Sequence, residues 1–214
     1  MFAKNLVLIV AITFMMSSIY AQNDEGRFKS ISVKALSGAH IYSGQTLNDK
    51  VSYGYSAMDI RFAWHPSKDN PWTRDTGFSS YGFGFYTANV GDPQVFGNPT
   101  ALYGFVNFFL SKPSRRNVFE ISPALGLTYH LQPYDPETNP TQDALGARAA
   151  VYFNVNFGAA YKFTRELDLL YGIDFTHYSN GRTFTPNYGL NLFGLNVGMR
   201  YHFNQEQRKL HQLL

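Results

Sequence analysis

Apolar and polar residues alternate along most of the chain after Gln22, and clusters of Gly, Pro, Asn and Asp interrupt the alternation. A period of two predicts β-strands, because successive side chains of a strand point to opposite faces. The pattern predicts eight strands, at residues 28–37, 53–65, 78–88, 101–110, 118–130, 148–163, 169–179 and 191–203. Tilted strands of about 10 residues span a bilayer, so this even number predicts an all-β, eight-stranded antiparallel transmembrane barrel.

The links between the predicted strands alternate in length, as they do in small membrane barrels. The links at 38–52, 89–100, 131–147 and 180–190 are mostly long, whereas those at 111–117 and 164–168 are short. With a periplasmic N-terminus, the long links are extracellular loops and the short ones periplasmic turns. Link 66–77 departs from this rule because it is also long.

In five of the predicted strands apolar residues fix one face, and seven charged residues fall on the other face. They are Asp59, Arg61, Glu120, Arg148, Lys162, Asp174 and Arg200. Of these, Asp59, Arg61, Glu120, Asp174 and Arg200 are expected to neutralise one another inside a narrow barrel, with a functional interior as the alternative. Parity likewise turns His65, His130 and His202 inward. A soluble lipocalin-like barrel has the same period with its faces reversed. The aromatic content of 17% and the clean alternation up to Phe203 favour the membrane barrel.

The first residues have the features of an export signal. Apolar residues 6–16 follow Lys4 and are too few to span a membrane as a helix, and Ala21 precedes a plausible cleavage point. The predicted organisation is a signal peptide at 1–21, a barrel at 22–203 and a polar periplasmic tail at 204–214; a buried N-terminal helix is the alternative for the first segment.

Composition excludes several other classes of function. The net charge of +3 is too small for a nucleic-acid footprint, and the chain has no Cys for disulfides or lipid anchoring. No His, Cys or carboxylate spacing suggests a structural metal, and no cofactor is expected.

Three polar residues depart from the parity rule on the apolar face. His177 and Ser179 continue the apolar series of the seventh strand, about 6.7 Å apart, and Asn191 continues that of the eighth. A neutral imidazole beside a hydroxyl can take its proton during attack on an ester. The alternative interpretation is the polar end of a strand that runs into an Asn-Gly turn.

The segment FTHYSNGRTFTPNYGLN, residues 175–191, resembles the signature of the lipid A 3-O-deacylase (PagL) family, outer-membrane esterases with a His-x-Ser-Asn core. The resemblance implies that His177 is the general base, Ser179 the nucleophile and Asn180 an oxyanion-hole donor. Residues 186–189 resemble the family's Pro-Asn-x-Gly lead into the last strand. Elsewhere the resemblance covers only the eight-stranded plan and the signal peptide.

The family's catalytic acid, a Glu on the last strand, is replaced here by Asn191. No Asp or Glu occurs between Gly181 and Phe203, so another acid would have to come from Asp174 or from a neighbouring loop that contains Asp135, Glu137 and Asp143. Asn can orient a histidine but carries no charge to stabilise the imidazolium, so reduced or differently supported activity is expected. Arg182 is a candidate contact for a lipid A phosphate, with a solvated loop residue as the alternative.

The resulting hypothesis is a serine esterase of the bacterial outer membrane that removes the 3-O acyl chain of lipid A, the membrane anchor of lipopolysaccharide. It would act as a monomer or homodimer, with lipid in the outer leaflet as its partner. The alternative is a non-catalytic small barrel with a structural or ligand-binding role.

Overall fold

Eight antiparallel strands close into one barrel in chain order. The structure, a computed structural model, describes residues 28–42, 44–52, 54–66 and 79–203. The strands are β1 (Phe28–His40), β2 (Tyr55–His65), β3 (Ser80–Asn89), β4 (Gly97–Phe109), β5 (Asn117–Leu131), β6 (Ala150–Lys162), β7 (Leu167–Ser179) and β8 (Leu190–His202). The predicted fold is confirmed. The predicted signal peptide, the tail and nearly all of the long link lie outside the described residues.

One end of the barrel carries four loops, L1 (41–54), L2 (90–96), L3 (132–149) and L4 (180–189), and is called the loop end; the other is the turn end. Short helices α1 (Asn48–Val51) and α2 (Pro93–Phe96) lie in L1 and L2. Four residues are too few to show helical periodicity, so neither helix was predicted. Within the described residues, no helix is both long and apolar enough to cross a membrane.

The outer wall of the barrel is apolar. Leu125, Leu195 and Val197 are each more than half exposed, and Phe and Tyr side chains from all parts of the wall join them. In a membrane barrel, the lipid bilayer covers a continuous exposed apolar surface of this kind. The reversed, soluble arrangement is therefore wrong for this chain.

Polar and charged side chains fill the interior, and several of the charged ones form ion pairs. Asp59 lies 2.8 Å from Arg61 and 3.3 Å from Lys34, and Arg200 pairs with Glu120 at 2.6 Å. Buried charges are tolerated when they are paired in this way. The predicted interior of mutually neutralising charges is therefore what the barrel contains.

Both ends of the barrel are closed by packing. At the loop end, the apolar residues of a loop cap are fully or almost fully buried: Leu47, Val90, Phe96, Leu131 and Leu145. At the turn end, His202 lies 2.6 Å from Asp168, and Phe28 stacks on His65 with ring centroids 4.0 Å apart. The loop cap thus contains residues of L1, L2 and L3.

Two inward placements predicted from parity are wrong. Arg148 is exposed because β6 begins only at Ala150, so this residue belongs to L3. His130 is also exposed: its backbone is left-handed, with φ of 63°, which breaks the alternation and lets Leu131 take the buried position. Both errors fall at strand ends beside the same long loop.

Candidate active site

His177 and Ser179 lie at the loop end of β7, on the outer wall. The register of β7 and β8 places His177 opposite Asn191. All three side chains are partly exposed. They lie where the apolar wall meets the loops, because β7 ends at Ser179 and L4 begins directly after it.

The His177 ring is hydrogen-bonded to Asn191, with Nδ1 and Oδ1 2.6 Å apart. The Asn191 amide Nδ2 donates to the backbone carbonyl of Ile41 at 3.3 Å. This second bond turns Oδ1 towards the ring, and an amide oxygen can only accept, so Nδ1 carries the proton. In the neutral ring this tautomer leaves the other nitrogen, Nε2, with a lone pair that can act as a base.

The Ser179 hydroxyl is held by L4. Its Oγ accepts hydrogen bonds from Asn187 Nδ2 at 3.0 Å and from the Gly181 N–H at 3.2 Å. Among the residues that the structure describes, no hydrogen bond joins Ser179 to His177. The two side chains share one face of β7.

Asn180 is buried at the start of L4, and its side chain holds the turn together. Its Nδ2 donates to the Phe184 carbonyl at 3.1 Å, and its Oδ1 accepts the Arg182 N–H at 3.2 Å. Its backbone N–H donates to Asn187 Oδ1 at 3.1 Å. Asn187 thus bridges Asn180 and Ser179, a contact that sequence reasoning missed although residue 187 lies in the recognised Pro-Asn-Tyr-Gly stretch.

Gly189 packs directly against the catalytic candidate His177. Its φ is 77°, and a Cβ added here would lie 2.8 Å from the ring carbon Cε1 of His177. Only glycine combines this backbone with this contact.

Arg182 is exposed on L4, with a left-handed φ of 62°. In the described part of the chain, Arg182 makes one hydrogen bond, in which its backbone N–H donates to Asn180. Its guanidinium forms no ion pair with an acidic side chain among the described residues.

None of the four acids considered from sequence contacts His177 in the described structure. Asp174 is buried inside the barrel against Asn154, 2.9 Å away. Asp135 caps a local turn through the Glu137 and Thr138 N–H groups, and the Glu137 side chain makes no described contact with the site. Asp143 accepts hydrogen bonds from L1 instead.

The pKa of Asp143 lies below its usual value. Partial burial alone would raise the pKa, but hydrogen bonds from the Tyr42 hydroxyl and from the Gln45 and Thr46 N–H groups outweigh burial. Asp143 is therefore ionised at neutral pH and remains a strong hydrogen-bond acceptor.

Fold and site together define a transmembrane β-barrel with a histidine, a serine and an asparagine on its lipid-facing wall. The family model of lipid A 3-O-deacylase (PagL) matches residues 55–200, and the chain belongs to this family. The resemblance noted from the sequence is confirmed. Family and apolar wall together place the chain in the bacterial outer membrane. No curated protein matches the chain.

Three solved structures are similar to this chain. The crystal structure of the outer membrane enzyme PagL is 13% identical, with a TM-score of 0.52, covering 78% of this chain and 97% of that one. The solution structure of outer membrane protein H (OprH) from P. aeruginosa is 13% identical, with a TM-score of 0.49, covering 83% and 99%. Neisserial surface protein A (NspA) is 10% identical, with a TM-score of 0.47, covering 83% and 96%.

Proposed function

We propose that this protein is a serine esterase that hydrolyses the 3-O ester-linked acyl chain of lipid A. The observation that supports the proposal is the His177–Asn191 hydrogen bond next to Ser179 on the lipid-facing wall. A base with a fixed tautomer beside a hydroxyl is what ester hydrolysis needs. Family membership supports the same substrate class.

The proposed reaction has two halves. Ser179 turns from Asn187 to His177, and its Oγ attacks the ester carbonyl while Nε2 of His177 takes the hydroxyl proton. The tetrahedral intermediate collapses, and His177 gives the proton to the departing 3-hydroxyl of the sugar. Water then attacks the acyl-enzyme with His177 again as base, which releases the fatty acid and restores the Ser179 hydroxyl.

Asn180 is the proposed donor to the oxyanion. Its Nδ2 donates to the Phe184 carbonyl, so it must exchange this partner for the developing negative charge as substrate enters. Asn191 acts as the orienting group in place of an acid.

Substrate would reach the site by lateral diffusion in the outer leaflet, with L1–L4 on the extracellular side. Arg182, exposed beside the site, is the proposed contact for a lipid A phosphate, because guanidinium groups bind phosphate oxygens well. All proposed groups come from one chain, so a monomer suffices for catalysis.

The test is mass spectrometry of lipid A from a deacylase-negative host that expresses the chain. The expected product lacks one hydroxyacyl chain, and Ser179→Ala and His177→Ala abolish its formation. Ser56→Ala is a matched control, because Ser56 is also exposed at the loop end, on β2. Heat-modifiable mobility verifies that each variant is folded. An unchanged acyl pattern, or equal activity from Ser179→Ala, overturns the proposal.

The second candidate is a non-catalytic barrel with a structural or ligand-binding role. One observation favours it: the Ser179 hydroxyl is bonded to Asn187 and Gly181 and not to His177. Folded protein in the outer membrane with unchanged lipid A would support this candidate.

A further inference from the structure

The carboxylate of Asp143 in L3 holds L1. It accepts the Tyr42 hydroxyl at 2.6 Å, the Gln45 N–H at 2.8 Å and the Thr46 N–H at 3.2 Å. The Tyr42 oxygen in turn accepts the N–H groups of Thr46 and Leu47, each at 3.0 Å. One carboxylate and one phenol therefore order the start of L1 against L3.

The backbone of the same L3 segment holds L4. The Tyr188 N–H donates to the Asp143 carbonyl at 3.3 Å, and the Gly189 N–H donates to the Ala144 carbonyl at 2.9 Å. These two residues stand directly between Asn187, which contacts Ser179, and the start of β8. Because L3 anchors these two residues, they fix the positions of the Asn187 amide and of the Gly189 backbone in the site.

L1 also holds the proposed orienting residue. The Ile41 N–H donates to the Asn191 backbone carbonyl at 2.9 Å, and the Ile41 carbonyl accepts Asn191 Nδ2 at 3.3 Å. Ile41 precedes Tyr42, so the chain that orients Asn191 continues into the residue that holds Asp143. L1, L3 and L4 are thus joined around His177 and Ser179.

We propose that Asp143, held by Tyr42, is a positioning residue that fixes residues 187–189 of L4 and the Ile41–Asn191 contact against Ser179 and His177. The inference rests on the proposed function for its effect on rate, but the contacts themselves are independent of it. Asp143 does not replace the missing acid, because it does not touch His177. It acts through Tyr188 and Gly189 on the placement of the reacting groups.

Small displacements at such a site have large consequences. Reacting groups need to be held to within about 0.5 Å, and a shift of about 1 Å costs on the order of a hundredfold in rate. Asn187 and Gly189 each contact a reacting residue directly, so loosening L4 displaces both. The cost is expected in kcat, because substrate binding by the lipid-facing wall is unaffected.

The test compares Asp143→Asn, Tyr42→Phe and the double variant with Asp135→Asn as control. Asp135 lies in the same loop, but among the described residues its carboxylate accepts hydrogen bonds from its near neighbours Glu137 and Thr138 and not from L1. In Asp143→Asn, kcat is expected to fall about tenfold with KM changed less than about twofold. The double variant is expected to match Asp143→Asn, because both changes break one linked set of contacts. Activity of Asp143→Asn equal to that of Asp135→Asn overturns the proposal.

Two measurements separate this proposal from the proposed function. Hydrogen exchange at the Tyr188 and Gly189 amides is expected to accelerate about tenfold in Asp143→Asn and to stay unchanged in Asp135→Asn. The NMR signal of the His177 Nδ1 proton is expected to broaden or shift in Asp143→Asn alone. Both readouts apply even if the wild type leaves lipid A intact. Faster exchange with an unaltered His177 signal and unaltered kcat would show a purely structural contact and overturn the proposal.

Discussion

Asn191 accepts the hydrogen bond from His177 Nδ1 at 2.6 Å, at the position where the sequence resemblance implies a carboxylate. An amide in that position can hold the wrong ring tautomer if its nitrogen faces the histidine. Here the Ile41 carbonyl binds the amide nitrogen, so the amide oxygen faces the ring. Asn191 therefore orients the His177 ring as a carboxylate would, but it carries no negative charge.

Replacing Asn191 separates these two contributions. Asn191→Leu removes the orientation and is expected to lower the deacylation rate at least tenfold, whereas Asn191→Asp adds charge and is expected to raise it about tenfold. The gain is limited because the second carboxylate oxygen would face the Ile41 carbonyl. Initial rates of lipid A deacylation measure both effects. An Asp variant no faster than wild type would mean that imidazolium formation does not limit the rate.

Gly189 and Gly181 form a pair of glycines for testing the placement of His177. Both have positive φ, 77° and 64°, so alanine costs roughly 1 kcal/mol of backbone strain at either position. Only at Gly189 would the new Cβ also press on the His177 ring; at Gly181 nothing lies within 4 Å. Gly189→Ala is expected to lose most deacylation activity while Gly181→Ala retains most of it. Equal losses would assign the effect to backbone strain alone.

Alternation along the strands predicted the face of most strand residues. It placed His177, Ser179 and Asn191 on the outer wall and Glu120 inside, because the period of two holds wherever strands pair continuously. It failed at His130 and Arg148, where β5 and β6 give way to L3. Loops have no periodicity, and the contact from Tyr42 to Asp143 spans 101 residues, so the loop contacts could not be predicted.

The pair of Glu120 and Arg200 tests the polar interior. Asn107 also donates to Glu120, at 2.7 Å, so the carboxylate is well satisfied while Arg200 is present. Arg200→Met leaves a buried charge without its main partner and is expected to cost about 3–5 kcal/mol in the free energy of unfolding. Adding Glu120→Gln should recover much of this loss. Urea unfolding in lipid vesicles measures both, with exposed Arg115→Met as control; a double variant as unstable as the single one would contradict the pairing.

The contact between Asp143 and Tyr42 is expected to persist over a wide pH range. For Asp143, whose folded-state pKa is lowered, the stabilisation is complete above about pH 3.9 and is lost as the pH falls through that lower pKa. For Tyr42, burial and the Asp143 carboxylate raise the pKa, so stabilisation is complete below about pH 10 and is lost only above it.

Protection of the Gly189 amide, corrected for intrinsic exchange, is therefore expected to stay constant between about pH 5 and 9 in the wild type. A change in the deacylation rate across that range would then not come from loosening of L4. Asp143→Asn is expected to show low protection throughout this range. Wild-type protection that already falls at about pH 6 would show that a group other than Asp143 and Tyr42 holds L3 and L4 together.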